Sequence, residues 1–153
     1  MSAGLKTKLL LTAVSLCLSF VYRSGGFVAG DVSVLPHFTY SFEHANVWHL
    51  LANLLVLWSV RQRMNVAAGY AIAVAASWLP MWTDRGTVGM SGLLFAVFGI
   101  MWGERGDWCG FLKAGMPVIL VMMAIPGING LLHLYCYVAG FVVFKIKDVF
   151  LKG

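Results

Sequence analysis

Apolar runs recur along the whole chain, broken only by short polar segments, and few folds can accommodate that pattern. Of 153 residues, 60% are apolar and only 11% are charged, with a mean hydropathy of +0.83. Soluble domains carry about 25% charged and about 45–50% apolar residues. A water-soluble fold of this size has too little interior to hide so much apolar surface, so lipid must cover much of it.

Six spans are predicted, at about 8–22, 46–60, 66–82, 88–103, 113–126 and 128–144. Several fall short of the ~20 residues that an isolated spanning helix needs. They become plausible when packed together, with Trp48, Trp58, Trp78, Trp82 and Trp102 near their ends as interfacial anchors. No long linker, low-complexity run or repeat interrupts the chain, so residues 1–153 read as one domain. The longest break, Arg23 to Ala45, holds Gly25, Gly26, Gly30 and Pro36 and is too polar for lipid. Lys6 and Lys8 before the first apolar run imitate a signal peptide. That run ends without a small-x-small cleavage site, so an uncleaved anchor is expected.

Charge sets the expected orientation. With six spans and the N-terminus in the cytoplasm, Lys6, Lys8, Arg61, Arg63, Arg105, Lys113, Lys145, Lys147 and Lys152 all fall inside. Only Arg23 and Arg85 fall outside, so the lysine and arginine bias points to both termini in the cytoplasm. The formal charge of +5 is spread over segment ends, with no basic patch interleaved with aromatics, and nucleic acid is not an expected partner. Cys17, Cys109 and Cys136 are odd in number, far apart and form no CxxC. They read as ordinary core thiols rather than a disulfide or zinc framework.

Polar side chains inside spans are costly and tend to mark function. Here they gather in the loop before the second span and at the starts of the second, fourth and sixth, all opening to the same, extracytoplasmic side. His49 and Asn53 are four apart and share a helical face. They suit either an interhelical hydrogen-bond pair or a functional site. His44 and His49 are five apart with no carboxylate or thiolate nearby, a poor metal set, and no metal or other cofactor is expected. Gly89 and Gly92 flank Ser91, permitting the tight turn that an exposed nucleophile requires, although small residues also serve helix packing. His133 lies at a depth like that of Ser91 and can act as its base. His49 and Asn53 could then donate to a developing oxyanion. No buried carboxylate is placed to orient His133, so the arrangement would be a dyad. Gly99 and Gly140 would let the fourth and sixth spans approach closely.

In this order, His44-x4-His49-x3-Asn53, Gly89-x-Ser91-Gly92, and His133 with Gly140 seven residues on resemble the rhomboid family of intramembrane serine proteases. The resemblance covers nearly the whole chain. It implies an all-α, six-transmembrane-helix bundle with a water-filled cavity open to the outside. In that bundle Ser91 would be the nucleophile and His133 the general base. His49, Asn53 and the Ser91 amide would form the oxyanion hole, His44 would be structural near the cavity mouth, and Phe95 would pack on the base. Two departures stand out. Leu35-Pro36 occupies the place of the family's tryptophan–arginine pair, which bears on the first loop's lipid contacts. Cys136 replaces a glycine three residues after the base, which bears on the spacing between the fourth and sixth spans.

The expected activity is therefore cleavage of transmembrane segments near the extracytoplasmic interface, with membrane proteins as substrates and the bilayer as surroundings. The oligomeric state is left open. The expected location is a multi-pass position in a bacterial plasma membrane. A catalytically silent binder of membrane helices is the alternative, and it has no chemical need for both Ser91 and His133. A small transporter would continue its polar residues into the inner halves of the spans, and those halves are nearly all apolar.

Overall fold

The computed structural model describes residues 2–21, 25–60, 64–81 and 85–152, without the side chains of 147–152. Arg23, Arg61, Arg63 and Trp82, and the side chains of Lys147 and Lys152, which enter the expected charge balance and tryptophan belt, lie outside that description. The described elements are helical: α1 (Ala3–Val21), α2 (Val34–Thr39) running into a 3-10 turn (Tyr40–Phe42), α3 (Val47–Ser59), α4 (Val66–Ser77), α5 (Ser91–Arg105), α6 (Trp108–Ala114), α7 (Met116–Met123) and α8 (Gly130–Lys152). By length and composition α1, with 19 residues, is the one described helix able to cross a membrane alone; α3, α4, the α6–α7 pair and Gly130–Ile146 are shorter apolar helices.

Local chemistry explains the boundaries. Asn46 caps α3 by accepting from the His49 amide at 2.9 Å, and Asn65 caps α4 by accepting from the Ala68 amide at 3.3 Å. The α5 helix ends at Gly106, whose φ of +66° suits a residue without a side chain. The fifth apolar segment, expected from residue 113, begins at Trp108, because Asp107 caps it by accepting from the Gly110 amide at 2.8 Å. It is also broken at Gly115 rather than continuous. Pro117, two residues on, has no amide hydrogen to give the preceding turn. The Tyr137 hydroxyl donates 2.8 Å to the Phe111 carbonyl at this break, and a side chain on Gly115 would strike the Tyr137 ring.

The α5 and α8 helices form the centre, with the most extensive contact of any pair, and α4 packs against both. Their backbones meet through glycines. A Cβ on Gly99 would collide with the Tyr137 carbonyl, one on Gly140 with the Ala96 carbonyl, and one on Gly103 would lie 2.6 Å from the Phe141 oxygen. Such approach favours dispersion contact where lipid removes the hydrophobic drive between helices. Cys136, fully buried, sits beside this seam against Gly92, its Sγ 3.6 Å from where a Gly92 side chain would begin. Gly140→Val should therefore lower stability by about 3 kcal/mol, since neither facing backbone can yield. Thermal unfolding in detergent checks this, and an unchanged midpoint would mean that the seam is looser than described.

The first loop is bound to the chain entering α5. Phe27 and Thr87 form an isolated antiparallel bridge, with the Thr87 amide donating to the Phe27 carbonyl at 2.8 Å. The Gly89 amide donates to the Tyr40 carbonyl at 2.8 Å, and the Tyr40 hydroxyl reaches the Ala73 carbonyl of α4 at 2.9 Å. Phe27, His37 and Tyr40 are all buried. The loop thus holds the turn before Ser91 in place by main-chain bonds. At the departure from the family pattern, Leu35 is exposed while His37, two residues on in the same helix, is buried.

Candidate active site

Ser91 is the first residue of α5, reached through Gly89 at φ +120°, a conformation that residues with side chains rarely adopt. The turn that glycine permits places the hydroxyl at the helix start, facing α8. There the Ser91 Oγ and His133 Nε2 are 2.8 Å apart. For Nε2 to take the serine proton, the neutral imidazole carries its own proton on Nδ1. His133 is 4% exposed, and its Nδ1 has no hydrogen-bond partner among the described residues. The ring plane is held by stacking instead: Phe95, one turn along α5 from Ser91, lies 4.7 Å from it at 27°. Among the described residues the arrangement is a serine–histidine pair without a third polar member.

Across the turn stand the residues of α3. A side chain on Gly89 would begin 2.7 Å from His49 Nε2 and 3.7 Å from Asn53 Nδ2, so both groups line the backbone two residues before Ser91. Asn53 is buried and donates to the His49 carbonyl at 3.0 Å, a bond that orients its amide and leaves the second N–H for another acceptor. Gly92 packs closely under the Tyr40 hydroxyl, 3.2 Å from where its side chain would begin.

His44 lies one step further out. Its Nδ1 is 3.0 Å from the Ser19 hydroxyl of α1, and its ring meets the His49 ring edge-on at 5.2 Å. Burial, with His49 beside it, pushes its pKa down to about 4. A neutral His44 therefore serves as a hydrogen-bonded strut between α1 and the His49 ring, away from Ser91.

Two contributors escaped the sequence reading. Asn129 accepts from the Leu132 amide at 3.1 Å and donates to the Thr87 hydroxyl at 3.0 Å, with the Met81 sulfur at 2.9 Å. One side chain thus caps the helix bearing His133 and ties it to the segment entering Ser91. Its signal was an asparagine directly before an apolar helical run. His37 is the other, stacked between Phe27 (4.9 Å) and Trp78 (3.8 Å) and 2.7 Å from the Ser77 hydroxyl. Nothing in the local pattern marks it.

Ser91, His133, His49, Asn53 and Phe95 all line one open cavity of about 850 Å³. Among the described residues no cluster of histidine, cysteine or carboxylate groups could hold a metal ion. No match is found among curated proteins or solved structures. The model of the Rhomboid domain matches residues 31–146, three-quarters of the chain, with α1 lying before it. Through that domain the chain belongs to the rhomboid family, whose members are integral membrane proteins.

Proposed function

We propose that the chain is an intramembrane serine endopeptidase that cuts transmembrane segments of other proteins near the extracytoplasmic interface. Ser91 attacks the scissile carbonyl while His133 takes its proton, then returns that proton to the leaving amine. Water, deprotonated by the same imidazole, releases the acyl group and restores the serine. His49, Asn53 and the Ser91 amide hold the oxyanion as it forms. The chain forms one domain of six spans with both termini cytoplasmic, in a bacterial plasma membrane.

The observation that carries this reading is the 2.8 Å contact between Ser91 Oγ and His133 Nε2, with Phe95 stacked on the ring. A silent helix-binding adaptor would need neither the contact nor the positive-φ glycine turn that presents the hydroxyl. A fluorophosphonate probe applied to the detergent-solubilised protein should modify one serine, and peptide mapping should find it at Ser91. Modification elsewhere, or none under conditions that label a known serine hydrolase, would leave the adaptor as the better description.

A further inference from the structure

The cavity does not end at the serine. It continues beside α5 past Phe98 and Met101, with Val56 of α3 on one flank and Val118 and Met122 of α7 on the other, and it finishes at Arg105. The α5 helix has 15 residues, so Ser91 and Arg105 stand about 21 Å apart along its axis. Between them the wall is apolar and suits a helix whose backbone is satisfied internally. At the far end, the Arg105 guanidinium lies 5.1 Å over the Trp102 ring, which also lines the groove. Lys145 Nζ stands over Gly106 next to it, 2.7 Å from where a side chain there would begin. The nearby acids do not fill that end. Asp107 is engaged by the Gly110 amide at 2.8 Å, and Glu104 is exposed and not part of the lining.

The groove is apolar, has the candidate nucleophile at one end and ends at the exposed Arg105 guanidinium over Trp102 at the other. We propose that it seats the apolar helix of a membrane-protein substrate carrying a carboxylate about 14 residues from the bond cut at Ser91, placed to pair with Arg105. The assignment rests on the protease reading above. Most spanning helices carry lysine or arginine at their cytoplasmic flank, and these would bring like charge against Arg105. Discrimination then comes from repulsion of common helices as much as from attraction of the acidic one.

The test uses one single-span substrate with Glu, Gln or Lys placed about 14 residues past the cleaved bond. Wild-type protein should cleave the Glu form about tenfold better than the Lys form in kcat/KM, the Gln form falling between. Arg105→Gln should bring the ratio close to one, and Arg105→Glu should invert it. Photocrosslinking of the same three helices to the Ser91→Ala protein reads the order without chemistry. An inverted order in Arg105→Glu supports the pairing. An order unchanged by Arg105→Glu overturns it. So does an equal loss on all three substrates, the result expected if Arg105 anchors a lipid phosphate or props the fold. If nothing is cleaved but crosslinking keeps the charge order, the protease reading falls and the groove assignment stands.

Discussion

His133→Ala should abolish both substrate cleavage and fluorophosphonate labelling, while Ser91 remains in place. The serine hydroxyl is a poor nucleophile near neutral pH, and His133 Nε2, 2.8 Å away, is the only base that the described residues bring to it. In soluble serine proteases, losing either member of the pair costs on the order of 10⁶ in turnover, because the two act as a unit. Ser91→Ala should match His133→Ala, and the double variant should be no worse than either. Folding is the control. Ser91 contributes little packing, so Ser91→Ala should unfold near the wild-type temperature. His133 stacks on Phe95 and is buried, so His133→Ala loses some stability, and His133→Gln keeps more of the volume. Labelling of a folded His133→Gln protein at the wild-type rate would make His133 structural and end the dyad assignment.

Much of the fold and the site could be read from particular residues, and what escaped has a physical reason. The apolar runs required helices, and the described elements are helical. Ser91 and His133 could be paired beforehand because each sits near the start of a span, beside glycines that bring α5 and α8 together. Phe95 was expected on the base only through the family resemblance, and the Phe95 ring does stack on that of His133. The α6 start was missed because Trp108-Cys109-Gly110 reads as an interfacial break unless Asp107 is recognised as a cap. The first loop was read as merely polar, yet its carbonyls at Phe27 and Tyr40 hold the segment leading to Ser91. Main-chain bonds of that kind leave no trace in side-chain identity. Likewise, the partner of His44 is Ser19, 25 positions away on α1, and no periodicity joins them. Trp78, read as an interfacial anchor, also covers the buried His37 ring.

Asn53→Ala separates a role in the reaction from a role in holding helices together. Its amide donates once to the His49 carbonyl within α3, a local bond that binds no second helix. Its second N–H has no partner among the described residues, and a donor kept in a fixed orientation costs no reorganisation when charge appears. If it meets charge that develops only in the transition state, turnover should fall while the substrate KM changes little. Removing one such donor typically costs about 10²–10³ in rate, or about 2.7–4 kcal/mol. His49 stands nearer the turn, its Nε2 2.7 Å and the Asn53 amide 3.7 Å from the same point above Gly89, so it covers part of the loss. The low end, about a hundredfold, is therefore expected. The measurement is activity per folded molecule, taken well below the melting midpoint of the variant. A deficit of about a hundredfold with near-native stability keeps Asn53 in the oxyanion site. Normal activity per folded molecule, with a lowered midpoint, assigns it to packing and leaves His49 and the Ser91 amide as the donors.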